Sequence, residues 1–496
     1  MKKDYLLCLV CAILLIFSFP KFNLWVFAWM GFVPLFFAIE NKSKSKAFLL
    51  SYLTGIIFWS GIIYWLVHVT LAGTIILILY LALYFGIFGL IISTFNFQLS
   101  TFNLLFIPSL WVLLEYIRSH LFTGFPWALL GYSQYLNLPI IQIADITGVW
   151  GVSFLVMMVN VMIWRLIKGL RIWIFLPIIC ILFTLAYGYY RLSPLPSTPH
   201  PSPLLKISVI QGNIAQELKW DLEAKVYILD KYAGLTEEAA TLRPDLIIWP
   251  EAASPGILSE DTLVFQEISA LSKKIKTPLL IGTVARDNEK YFNSALLIKP
   301  SGEIAGRYDK LHLVPFGEYI PLKRILPFLE TVVPIGDITP GKIYTVFSEV
   351  TTSPRHHVTS FSVLICFEDL FPELSREFVK SGANFLVNIT NDAWYKRTSA
   401  AHQHLQASVF RAVENRVFLV RSANTGVSGF ISPDGKIISK VCDKFGRNIF
   451  IDGYDTQELA ISNKSFSIYT QYGDFFPAVC LLFVLYGIIP HFKSRR

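Results

Sequence analysis

Charge is what this chain has least of. Charged residues make up 16% of its 496 positions while hydrophobic residues make up 54%, and an ordinary soluble domain is charged at about a quarter of its positions. That balance excludes a wholly soluble globular protein and indicates a membrane protein. Cysteine is scarce as well: Cys8, Cys11, Cys180, Cys366, Cys442 and Cys480 are the whole set. Cys8, Cys11, Cys180 and Cys480 sit inside apolar runs, so no disulfide framework follows. Cys8 and Cys11 have C-x-x-C spacing without further ligands, and packing is their expected role. His356 with His357, and His402 with His404, lack a third and fourth ligand at metal spacing, so neither a metal nor another cofactor is expected. The formal net charge of +8 comes without a basic stripe or interleaved aromatics, which argues against a nucleic-acid partner. The sequence shows no internal repeat and no low-complexity tract.

Long apolar runs are what the chain has in abundance, and its mean hydropathy is +0.52. They crowd into about the first 190 and the last 20 positions, with lengths near the ~20 residues that cross a hydrocarbon core. Spans are expected at residues 5–19, 24–39, 47–69, 71–93, 104–119, 146–167, 171–190 and 475–489. The first begins like a secretory signal, but no small-x-small cleavage site follows it. About eight spans put Lys2 and Lys3, the basic loop 42–46, the loop 165–171 and the Lys-Arg tail on one face. The positive-inside rule makes that face cytoplasmic, with both termini there and the segment between the last two spans on the far side. Glu115 and Arg118, i and i+3 on one helix face, predict an ion pair near the membrane edge; contact of Arg118 with a lipid phosphate is the alternative. The aromatic loop 122–132 suits the outer interface.

Between residues 204 and 467 the composition becomes that of a globular domain, preceded by a Pro-rich linker at 193–203. Strands are expected at 206–210, 246–248, 279–284, 294–298, 362–365, 385–389 and 418–421, and helices at 221–242, 261–275, 370–381 and 399–415. Such alternation points to the α/β class, sheet layers covered by helices. Ser432-Pro433-Asp434-Gly435 reads as a hairpin turn.

Three chemistry-bearing residues stand at the ends of strand-like runs. Cys366 closes Ser-Val-Leu-Ile-Cys, Glu251 follows Trp249-Pro250, and Lys310 follows Tyr308-Asp309. A thiol attacks a carbonyl carbon as thiolate, so a neighbour must take its proton, and Glu251 is the candidate base. The tetrahedral intermediate needs a fixed cation or N–H donors, which Lys310 and the backbone of Phe367 would supply. Glu318 would hold Lys310 or the base in register. Each has a plain alternative: a core cysteine, a strand-end cap, a solvated lysine and its surface partner.

Together with the motifs around them, these residues resemble the nitrilase, or carbon–nitrogen hydrolase, superfamily, whose Glu-Lys-Cys triad sits on an αββα sandwich. Within it, the whole chain looks like the bacterial apolipoprotein N-acyltransferase family. The motifs that carry this are Gln211-Gly212-Asn213-Ile214 with Lys219-Trp220, Trp249-Pro250-Glu251, Lys310 through Pro321, Cys366-Phe367-Glu368, Asn391-Asp392-Ala393-Trp394, and Arg421 through Gly426. The resemblance implies Glu251 as general base, Lys310 as oxyanion stabiliser and Cys366 as nucleophile, with Glu318, Phe367, Glu368 and Trp220 supporting them. Two departures stand out: Phe367 where the family commonly has Tyr, and Lys396-Arg397 where it has Gly soon after the Asn-Asp-Ala-Trp motif.

The implied fold is a multi-span helical membrane domain carrying an extracytoplasmic α/β nitrilase-like sandwich. Its parts are residues 1–192 for the spans, 193–203 for the linker, 204–467 for the catalytic domain and 468–496 for the last span and basic tail. The implied reaction moves an acyl chain from a glycerophospholipid, phosphatidylethanolamine being the expected donor, onto Cys366 and then onto the amino group of a diacylglyceryl-cysteine of an apolipoprotein. The setting implied is a bacterial inner membrane with the catalytic domain on the periplasmic side. Residues 320–333, with Leu326, Phe328, Leu329 and Val332, are expected to form a membrane-facing arm, an ordinary packed insertion being the alternative. Cys442 is not expected to bridge to Cys366. The rival reaction is carbon–nitrogen hydrolysis by a membrane-tethered amidase with the same triad.

Overall fold

A computed structural model describes residues 2–94, 102–170, 174–193, 204–221, 223–258, 260–320, 337–348, 359–461 and 465–493; the side chains of Trp220 and of 489–493 are not described. Residues 194–203 of the linker, 321–333 of the expected arm, and His356-His357 therefore lie outside the described residues. The chain forms two compact units: 1–193 with 398–414 and 467–496, and 194–397 with 415–466. Residues 398–414, which the sequence places inside the 204–467 segment, thus pack with the helical unit.

In the helical unit four helices are long and apolar enough to cross a membrane: Lys44–Ile62, Leu71–Thr94, Val149–Ile167 and Phe175–Leu192. Ile76 and Phe183 on two of them are more than 60% exposed, a placement that suits contact with lipid. Helices Lys2–Phe17, Asn103–His120 and Phe475–Lys493 occupy three other expected spans. The expected continuous span 24–39 is instead two pieces, a 3-10 turn Trp25–Trp29 and a short helix Val33–Ile39 with Pro34 at its start. A helix of that length is ~10 Å long, about a third of a hydrocarbon core. Helices Lys44–Ile62 and Leu71–Thr94 approach closely at Gly55, where a Cβ would stand 3.0 Å from the Ala82 Cα, as small residues permit between membrane helices.

The interior of this unit is aromatic, with Phe32, Phe85 and Phe88 around Trp111 at centroid distances of 4.6, 5.0 and 5.1 Å. Its polar groups serve the backbone. Gln403 accepts from the indoles of Trp65 and Trp127 at 3.0 and 2.8 Å, and donates to the carbonyls of Pro20 and Ile62. Asn160 accepts from Phe32 N and donates to the Ala28 carbonyl. Glu115 and Arg118 do not form the expected ion pair. Arg118 donates to the carbonyls of Phe125 and Trp127, while Glu115 accepts from Leu130 N at 2.6 Å. The irregular loop 125–130 offers backbone groups that would otherwise be buried unpaired, and they outcompete the neighbour on the helix. The aromatic loop 122–132 buries Trp127 to 2% exposure and leaves Phe122 81% exposed.

The second unit is a two-sheet sandwich. Its strands are β1 (Leu204–Gln211), β2 (Leu246–Ile248), β3 (Leu279–Asp287), β4 (Lys290–Ile298), β5 (Ile304–Asp309), β6 (Phe361–Ile365), β7 (Phe385–Thr390), β8 (Phe418–Ala423), β9 (Gly429–Ile431), β10 (Ile437–Lys440) and β11 (Gly453–Ala460). One sheet runs β11-β1-β2-β3-β4-β5 and the other β10-β9-β8-β7-β6. The central strands β1-β2-β3 and β6-β7-β8 pair in parallel. Such strands are buried on both faces, which is why the sequence shows them as short continuous apolar runs. The sheets meet at Ser422, whose hydroxyl lies 2.9 Å from the Ile210 carbonyl and 3.1 Å from that of Ile248. Helices Lys225–Ala240 and Thr262–Ile275 cover the first sheet, packing Ile228, Tyr232 and Ile268 on Ile210, Ile247 and Ile281. Helix Pro372–Lys380 covers β6 and β7. The Ser432–Gly435 turn joins antiparallel β9 and β10 as expected. Strands β5 and β11, one glycine-interrupted and the other largely polar, carry little apolar signal.

Candidate active site

The ends of β2, β5 and β6 deliver Glu251, Lys310 and Cys366 to one buried place. Glu251 follows β2 directly, and its backbone is pressed against β3 at Gly282, where a Cβ would stand 2.6 Å from the Glu251 Cα. No larger residue fits there without moving the acid. Lys310 follows β5 and is 1% exposed. Its ammonium lies 2.9 Å from Glu318 Oε2 and 3.9 Å from Glu251 Oε1. Burial alone would lower the lysine pKa, but Glu318 and Glu251 outweigh it and hold Lys310 charged.

Asn293 of β4 holds the two carboxylates together, its amide lying 2.8 Å from Glu251 Oε1 and 2.8 Å from Glu318 Oε1. Glu318 is fixed a second time by Val314 N at 2.7 Å, which closes the turn 314–319. Sequence reasoning missed Asn293; the one signal was an amide in mid-strand, between Phe292 and Ser294 of β4.

Cys366 ends β6 with φ +53, the left-handed region that residues other than glycine seldom occupy, and opens the 3-10 turn Cys366–Leu370. Its carbonyl is held by Asn388 Nδ2 at 3.1 Å. Burial pushes the thiol pKa well up, Glu251's charge adds to this, and Lys310 pulls the other way. Cys366 therefore rests as a thiol, and a base must take its proton when it attacks. All six cysteines are unbridged, Cys442 included.

Glu368 is a fastener between two of these strand ends. It accepts from Tyr308 Oη at 2.8 and 2.9 Å, from Leu311 N and His312 N at 2.7 and 3.0 Å, and from Ile365 N at 2.7 Å. The donors flank Lys310 on one side and Cys366 on the other, so one side chain sets their separation. Phe367 is 7% exposed and packs on Phe371 at 5.3 Å between centroids, a contact that needs a ring and no hydroxyl. Trp220 closes the 3-10 turn Gln216–Trp220, and its side chain lies outside the described residues. Of the pair Lys396-Arg397, Lys396 takes φ +52, which glycine adopts without strain and lysine does not.

Lys219, present in the sequence only as part of a motif, also belongs here. It is 5% exposed and donates to the Glu251 backbone carbonyl at 3.0 Å. Among the described residues there is no cluster of side chains fit to hold a metal ion.

Comparison with known proteins covers both parts of the chain. Residues 11–162 match the apolipoprotein N-acyltransferase N-terminal domain family, and residues 206–460 match the carbon-nitrogen hydrolase family. A protein named apolipoprotein N-acyltransferase from Geobacter metallireducens is 39% identical, over 97% of this chain and 94% of the relative. The protein of that name from Pasteurella multocida is 32% identical over 89% and 88%. A solved amidase of the nitrilase superfamily from Nesterenkonia AN1 is 18% identical and covers 56% of this chain and 96% of its own, with a TM-score of 0.40. With helical unit and sandwich both accounted for by full-length relatives, the chain belongs to the apolipoprotein N-acyltransferase family.

Proposed function

We propose that this membrane enzyme transfers an acyl chain from a glycerophospholipid to the α-amino group of the amino-terminal diacylglyceryl-cysteine of an apolipoprotein, through a thioester on Cys366. The observation that carries the reading is the buried ammonium of Lys310, held by Glu318 and facing Glu251 and Cys366. In the first half-reaction Glu251 takes the thiol proton as sulfur attacks the ester carbonyl, and returns it to the departing lysophospholipid oxygen. Lys310, with the Phe367 N–H, carries the charge of the tetrahedral oxygen. In the second half the lipoprotein amine attacks the thioester, Glu251 takes the amine proton, and the thiol regains it on leaving. Glu251 ends each half as a carboxylate, and exchanging a thioester for an amide is downhill without a cofactor. Glu318, Glu368 and Asn293 position, Phe367 lines the site, and Trp220 is assigned a supporting role.

Two membrane-anchored substrates give a reason to join a nitrilase-like unit to apolar helices. The proposed topology has about eight spans, both termini in the cytoplasm and residues 204–467 on the periplasmic side, with phosphatidylethanolamine as donor. The test is intact-mass spectrometry of the purified protein mixed with acyl-labelled phosphatidylethanolamine. A hydroxylamine-sensitive adduct on Cys366, absent from Cys366→Ser and lost to a diacylglyceryl peptide, is the expected result. Failure of folded wild-type protein to acquire the label overturns the lipid-donor reading.

A further inference from the structure

Beside Glu251 lies an open cavity of about 440 Å³ lined by Lys219, Lys225, Gly256, Ile257, Glu260, Asp261, Thr262 and Leu263. Its walls are the loops that follow the parallel strands β1 and β2, where α/β folds receive ligands. Most of the lining charge is already paired. Lys225 holds Asp261 at 2.6 Å, and Glu260 is paired with Arg286. Lys219 differs: among the described residues its ammonium makes one hydrogen bond, to the Glu251 carbonyl. An ammonium has three N–H donors, so two remain to be met from the cavity by a group 5% exposed. Leaving them unmet is costly, and an anion meets them best. At the same cavity Leu263 is 74% exposed and Ile257 half-buried, so apolar and cationic surface lie side by side.

We propose that this cavity is the subsite for the phosphodiester of the glycerophospholipid donor, with Lys219 as its anion hook. The inference rests on the donor reading above and adds to it the place where the headgroup sits. A phosphate bound at Lys219 is one residue's reach from the base, because the same ammonium touches the Glu251 backbone. The ester carbonyl, a few bonds from the phosphate, is then held on the Cys366 side of Glu251 while the acyl chains leave past Leu263. Burial already lowers the Lys219 pKa to about 8, so an arriving anion also stabilises the charged lysine.

Calorimetric titration of the full-length Cys366→Ala protein in neutral-detergent micelles tests this without turnover. The probes are dihexanoyl phosphatidylethanolamine, glycerophosphoethanolamine, inorganic phosphate and dihexanoylglycerol. The two phosphodiesters are expected to bind, and Lys219→Met to weaken both about ten- to a hundred-fold, the range for a lost charged hydrogen bond. Lys219→Arg should restore most of the affinity, and Thr262→Trp, which puts a bulky ring into the cavity, should abolish it. Unchanged phosphodiester affinity in both Lys219→Met and Thr262→Trp overturns the subsite, as does dihexanoylglycerol binding as tightly as the phospholipid. Binding of inorganic phosphate alone overturns the headgroup assignment. Labelling of Cys366 by phospholipid is scored separately. A thioester without Lys219-dependent binding sinks the subsite alone, and Lys219-dependent binding without a thioester sinks the reaction.

Discussion

The two units bury polar groups for opposite ends. In the helical unit Gln403, Asn160, Glu115 and Arg118 are spent on backbone carbonyls, backbone N–H groups and indoles. Their hydrogen bonds replace the water that irregular backbone would need. In the sandwich Glu251, Lys310 and Lys219 are buried with Glu318 half-buried beside them, and Cys366 is left among them as a neutral thiol. Burial there raises the strength of every charge that the reaction will develop. The same desolvation that holds one unit together makes the other reactive.

The sharpest way to break that contrast is Glu251→Gln. If the sandwich buries charge for chemistry, this variant keeps its melting temperature and loses acyl transfer by about a thousand-fold, within the range for a general base; a stability loss of the same size in place of an activity loss would erase the distinction. Gln403→Ala asks the converse. It strands two buried indole N–H groups, so unfolding should become easier by about 3 kcal/mol, read from thermal melts in detergent. Turnover per folded molecule should stay near wild type.

Asn293→Ala is milder. Losing the amide between Glu251 and Glu318 should lower kcat about ten-fold with little change in KM, because the two carboxylates still share Lys310. The smallest effect expected is on the resting thiol. Alkylation of Cys366, followed by mass spectrometry against exposed Cys442, should stay slow at pH 7–8 and climb above about pH 9, since the thiolate fraction rises with pH through a raised pKa. Lys310→Met removes a lysine that pulls this pKa down and should move the rise further up. An early plateau near neutrality would show a preformed thiolate and remove the need for Glu251 as base.

Of the proposed catalytic trio, Glu251 and Cys366 were legible in the sequence because each closes a short apolar run, as a buried parallel strand does whatever surrounds it, whereas Lys310 follows the antiparallel, glycine-interrupted β5 and was legible through its motif. Glu318 and Glu368 were legible through their motifs, whereas two other supporting residues were not. Asn293 and Lys219 are recognisable only through the partners they meet, and Glu251 is 42 residues from Asn293 and 32 from Lys219 along the chain. Membership of residues 398–414 in the helical unit was equally hidden. Helical periodicity announces a helix but not which neighbours its buried face receives.

By itself, then, the sequence determined an apolar helical part, an α/β part and the residue types able to perform acyl transfer, since these depend on composition and on patterns a few residues long. Tertiary structure alone decided that Glu115 and Arg118 serve a loop instead of each other, that the stretch 24–39 is broken, and that Glu368 sets the spacing of Lys310 and Cys366. Each of those outcomes is a competition for hydrogen bonds among groups distant in the chain, and that competition is settled only when the chain has folded.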